Sequence, residues 1–142
     1  MNPSYRHTQV SQLLRWGGFL PAIGLVIAGR FMQEPTALLP IVAVIGGAGW
    51  VFSSLTIEVT QTELTWFFSS GVWRESIKRD AIVSAIPARN KWWWGWGVHR
   101  TPRGWLYNVA GLDAVEIALR DGRTLRLGVD QATELIKALS AV

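Results

Sequence analysis

Few side chains in this sequence could carry covalent or metal chemistry, and they are scattered. His7 and His99 are the only histidines, and there is no cysteine. That excludes a thiolate metal site and a disulfide framework, and leaves no histidine pair at ligand spacing. The serines lack a G-x-S-x-G setting, and no paired carboxylates flank a glycine-rich loop. His99 could ligate a haem or chlorophyll metal, but it lies beside Arg100 in the charged half of the chain, and the apolar segments contain no histidine. The expectation is a protein that is not an enzyme and holds no cofactor or metal. A net charge of +4 is too diffuse for a nucleic-acid partner, although it suits life beside anionic lipid headgroups.

What the sequence does concentrate is tryptophan. Arg89-Asn90-Lys91-Trp92-Trp93-Trp94-Gly95-Trp96-Gly97 is followed closely by His99, Arg100, Arg103 and Trp105. Adjacent residues of extended chain face opposite ways, so these five tryptophans cannot all enter one core. Tryptophan favours the headgroup level, where its ring is buried and its N–H stays wet. Each interleaved Arg or Lys would gain about 1 kcal/mol from anionic headgroups. Arg89, Lys91, Trp92, Trp93, Trp94, Trp96, Arg100, Arg103 and Trp105 are therefore the candidate contact residues. Lipid, a protein partner and simple cover for a sheet face all remain open as what they touch. No inositol-phosphate motif accompanies them, so generic anionic lipid is the expected headgroup.

Two apolar segments stand upstream, at about 13–33 and 37–55. Each approaches the roughly 20 residues that a helix needs to cross the hydrocarbon. Arg15 and Arg30 bracket the first and can snorkel to the interfaces, while Trp16 and Trp50 fit an aromatic belt. Only Glu34, Pro35 and their neighbours separate the segments, so the helices are expected as an antiparallel transmembrane hairpin over residues 1–55. No small-residue cleavage site precedes Arg30, which argues against a signal peptide. The loop offers Arg30 offset by Glu34, whereas Arg6, Arg15 and eleven basic residues lie outside it. The positive-inside rule then puts both termini in the cytoplasm. Gly24, Ala28, Ala43, Gly46, Gly47 and Gly49 would let helix backbones approach closely. They serve either the contact between the two helices or a face left for another integral membrane subunit.

From Thr56 the hydrophobic period becomes two. Strands are expected at 56–60, 63–68, 72–77, 80–86 (stopped by Pro87), at 98–100 and 105–109 as one fifth strand with a break at Pro102 and Gly104, at 114–119 and at 124–129. Ser69-Ser70-Gly71 marks one turn, and Asp121-Gly122 is the strongest hairpin signal. Asp130 should cap a helix over 130–141, with Ala132, Leu135, Ile136 and Leu139 on one face. About seven strands and one helix in residues 56–142 suggest a bent sheet plugged by that helix.

This architecture resembles the bacterial PH-like (pleckstrin-homology-like) membrane proteins. At sequence level the likeness rests on Gly95-Trp96-Gly97-Val98-His99-Arg100, Gly104-Trp105-Leu106-Tyr107-Asn108-Val109, and Ala114-Val115-Glu116-Ile117 leading through Asp121-Gly122-Arg123 to Leu127-Gly128-Val129-Asp130. It implies an α+β membrane protein with a PH-like bent sheet or barrel, set in a bacterial inner membrane. Two functions are expected from it. One is a non-catalytic accessory subunit that docks on a larger membrane complex through its hairpin and Trp-rich loop. The other is a lipid-surface module that stands alone or self-assembles.

Overall fold

In the computed structural model, residues 3–17, 19–31, 35–69 and 71–141 are described. Gln33 and Glu34, expected at the first span's end and in the inter-span loop, lie outside these residues, as does Ser70 of the expected turn.

The chain is α+β. Strand β1 (Tyr5–Val10) leads into helices α1 (Gln12–Gly17) and α2 (Phe19–Gly29). A 3-10 turn, Pro35–Leu38, precedes α3 (Leu39–Val51). Strands β2 (Ser54–Val59), β3 (Glu63–Phe68) and β4 (Val72–Lys78) follow and complete a four-stranded antiparallel sheet in the order β1-β2-β3-β4. After a second 3-10 turn come β5 (Ile82–Arg89), β6 (Gly97–Thr101), β7 (Gly104–Asn108), β8 (Asp113–Leu119) and β9 (Thr124–Gly128). These form a second sheet in the order β5-β8-β9-β7-β6, with β7 and β9 parallel. Helix α4 (Ala132–Ser140) ends the fold.

Alternation explains the core. Leu55, Ile57 and Val59 of β2 point inward with Leu64, Trp66 and Phe68 of β3. They meet Val115, Ile117, Leu125 and Leu127 from the second sheet. Leu135 of α4 is fully buried on the same cluster, which stabilises the fold by about 2 kcal/mol. Arg79 fastens the far end of α4: its guanidinium donates to the carbonyls of Thr60, Ala138, Leu139 and Ala141. The last three are carbonyls that the helix end leaves unpaired.

Several expectations need correction. Residues 5–10, read as a charged flank, form a strand inside the first sheet. The inward positions of β1 are Tyr5, His7 and Gln9, so no apolar alternation announced it. The helices are therefore inserted between β1 and β2, and a boundary at residue 55 does not hold. The second apolar segment stops being helical at Val51, because Leu55 is needed in the core. The expected fifth strand is a hairpin, β6–β7, and among the described residues there are two sheets and no closed barrel. Pro87 does not stop β5; it lies on an edge strand opposite Val115, where a missing N–H costs no ladder bond. The N-cap position of α4 is Gln131, with no side-chain cap bond. Asp130 instead bonds His7 Nε2 at 2.6 Å. The Asp-Gly turn stands as expected, with Gly122 at φ +84°.

The Gln12–Gly29 segment is long and apolar enough, by length and composition, to cross a membrane, and only 12% of it is buried. Thr36–Val51 is apolar but shorter.

Candidate functional site

Register alone gathers one end of the fold. Val10, the last residue of β1, pairs with Ser54, the first of β2, so both ends of the helical insertion emerge at this point. Ser11 and Ser53 bond backbone to backbone at 2.7 Å. Ser11 Oγ also accepts the Leu14 N–H, and Ser69 Oγ reaches the Trp50 and Val51 carbonyls at 2.9 and 2.8 Å. These serines form a polar collar below the helices, with Arg15 stacked over Trp50. The sequence reading did not single them out; a serine at the inner end of each apolar run was the available signal.

The Trp-rich loop sits at this same end. Gln9, one residue before Val10, donates to the Ala110 carbonyl. Ala110 lies two residues after Asn108, and Asn108 pairs with Gly97. Asn90 is anchored by its N–H on the Leu112 carbonyl and is 4% exposed. From there Trp92–Trp94 make a 3-10 turn, which Gly95 ends at φ +71°. His99 Nε2 closes the loop on the Trp96 carbonyl.

The tryptophans divide by task. Trp94 lies over the Arg126 guanidinium, 5.2 Å from its ring centre. Arg126 is itself paired with Glu116 at 2.6 Å on the outer face of the second sheet. Trp94 is thus cover for a nearly buried ion pair. Trp92 and Trp93 project outward at 76% and 60% exposure, packed edge to face, with Lys91 over Trp93. Trp96 and Trp105 are half-exposed beside a groove of about 440 Å³. Its other wall is the base of the helices, at Leu14, Ala48, Gly49 and Phe52.

The basic residues are less gathered than the tryptophans. Arg89 and Lys91 lie with the loop, Arg89 facing Asp113 at 3.7 Å. Arg100 is exposed midway along β6. Arg103 occupies the turn at the opposite end of the β6–β7 hairpin and approaches Glu116 at 3.7 Å.

On the helices, the buried positions of α2 are Ala22 and Gly29. A Cβ built at Gly24, Gly46 or Gly47 would meet nothing within 4 Å. Ala28 and Ala43 are exposed and Gly49 is half-buried against the groove. The small residues singled out in sequence are thus mostly open positions.

Burial sets two acidities. Tyr5 is pushed up to about 12, chiefly by desolvation and then by Asp130 and Glu134. Burial, and then its bond to Glu75, raises Tyr107 further. Among the described residues no three acidic or histidine side chains are grouped to hold a metal. Comparison with protein-family models, curated proteins and solved structures gave no match.

Proposed function

We propose that this chain is a non-catalytic, membrane-anchored module whose helical hairpin enters the bilayer and whose Trp-bearing end rests on the headgroup layer. One observation carries the reading: Trp92 and Trp93 are exposed at the end where β1 and β2 feed the apolar helices. Exposing two indoles to water is unfavourable, and the headgroup level relieves that while Lys91 and Arg89 meet anionic lipid. The collar of Ser11, Ser53 and Ser69 would mark the boundary between bilayer and domain.

Antiparallel neighbours β1 and β2 send the chain out and bring it back on one side, so the insertion crosses an even number of times. Gln12–Gly29 spans about 27 Å as a helix. The shorter Thr36–Val51 is accommodated by local thinning of the bilayer. Together with the positive-inside rule, this supports a β domain in the cytoplasm of a bacterial cell. A PH-like assignment is supported by the strand count. Setting aside the β6–β7 hairpin leaves a four-strand meander, a three-strand meander and a packed C-terminal helix.

A second reading, as an accessory subunit of a larger membrane complex, is favoured by open Gly24, Gly46 and Gly47, which suit close approach by another helix.

The chain has no cysteine, so single cysteines report topology cleanly. In intact spheroplasts a membrane-impermeant maleimide should label Thr36→Cys and spare Asp121→Cys. Labelling of Asp121→Cys before lysis would overturn the proposal.

A further inference from the structure

The two sheets part on one side, between β4 and the β6–β7 hairpin, leaving a cleft of about 280 Å³. Tyr107 Oη bridges it with a 2.9 Å bond to Glu75 Oε2. The walls are mostly apolar, with Ile77, Val98 and Leu125 among them. Trp66 forms part of the wall, and its indole N–H is buried with no partner among the described residues.

The opening is built around Trp73. This residue is the extra one in a β-bulge, where the β3–β4 register shifts between Phe67 and Phe68, and it is held at φ +50°. Strain of this kind persists where the surroundings aim a side chain. Here Glu75 Oε1 accepts the Trp73 indole N–H at 2.9 Å. Trp73, Val98 and Trp105 wall both the cleft and the groove at the helix base. The cleft and the groove are therefore neighbours, with Leu14 and Phe52 of the helix base on the groove's far wall. Arg123 stands at the cleft's other end, its Nε held by Asp121 at 2.6 Å and its two terminal nitrogens without a partner among the described residues.

We infer that the cleft binds an acyl chain of a membrane lipid, drawn in through the groove. Arg123 meets the anionic end at the far side of the cleft, and the chain lies along Trp66, Tyr107 and Leu125 with its tail toward the groove. The cavity is close to the lower end of ordinary ligand sites, about 300 Å³. The source of the lipid rests on the membrane reading above; the cleft's chemistry does not.

The test uses the full chain in nanodiscs with phosphatidylglycerol carrying a mid-chain diazirine, irradiated and mapped by peptide mass. Cross-links at Trp66, Tyr107 or Leu125, besides those on α1–α3, support the inference. Val98→Trp, with its melting curve as a folding check, should lose the cleft cross-links and keep the helix ones. Cross-links on the helices and Trp92–Trp93 alone, with both this lipid and diazirine palmitate, overturn the cleft site and leave the membrane reading standing. Absence of helix cross-links overturns the membrane reading instead. A second arm uses diazirine palmitate in detergent: cleft labelling there but not by phosphatidylglycerol supports the site and identifies a free fatty acid as its source. Arg123→Gln should weaken palmitate labelling and spare that by the neutral alcohol of equal length; equal loss of both contradicts the anion role.

Discussion

Val10 and Ser54 face each other across β1 and β2, although 43 residues and three helices lie between them. The helical insertion therefore replaces what in an ordinary β-hairpin is a tight turn. Replacing residues 11–53 by Asn-Gly should restore such a turn. We predict a β-rich domain that melts cooperatively and stays monodisperse without detergent. A product that is unfolded by circular dichroism would mean that the helices are part of the domain's core.

Glu116 and Arg126 are directly opposed on β8 and β9, bonded at 2.6 Å, 13% and 8% exposed as side chains, and roofed by Trp94. Removing one partner leaves the other buried and unpaired, so Glu116→Ala should cost on the order of 3 kcal/mol in denaturant unfolding. The double change Glu116→Leu with Arg126→Met should cost less than either single change. Additive losses would contradict the pairing.

Arg79 ties the last turn of α4 to the Thr60 carbonyl through the two arms of its guanidinium, Nη1 on Thr60 and Nη2 on Ala138 and Leu139, a fork that a lysine cannot reproduce. Arg79→Lys should speed hydrogen exchange at Ala138–Ser140 nearly as much as Arg79→Ala, with little change in the sheets. Full rescue by lysine would reduce the contact to simple charge.

The chain contains two tyrosines, and both are held above the ordinary value of 10. A raised folded pKa contributes stability that is complete below pH 10 and is lost as pH climbs through the folded value. For Tyr5 that window runs from about 10 to about 12. Tyrosinate absorbance should be absent from the folded protein at pH 10 and appear either near pH 12 or with unfolding. In Tyr107→Phe the loss of the bond to Glu75 should cost about 1 kcal/mol. Titration of both tyrosines near pH 10 in the folded state would contradict their burial.

Much of the β domain was legible because Leu55, Ile57, Leu64, Trp66, Val115, Ile117, Leu125 and Leu127 alternate as half-buried strands must. Asp121-Gly122 fixed its hairpin for the same local reason. What was not legible depended on tertiary pairing. Strand β1 turns Tyr5, His7 and Gln9 inward, and only its partner β2 explains that choice. Pro102 and Gly104 marked the break within 98–109, but that its halves fold back on each other as two strands needed the sheet pairing. The Trp-rich segment was visible as composition, but its division was not, since Trp94 differs from Trp93 only by lying over Arg126. The clustering expected of Arg89, Lys91, Arg100 and Arg103 could not be judged in one dimension, because the β6–β7 turn carries Arg103 to the opposite end.

The central claim is that the Trp92–Trp93 end meets the bilayer, and depth can be measured directly. A nitroxide placed at Trp93→Cys in proteoliposomes should collide readily with oxygen and poorly with a water-soluble nickel chelate, giving a headgroup depth. The same label at Asp121→Cys, in the turn at the opposite end of the domain, should show the reverse. Equal nickel accessibility at the two positions would contradict the account.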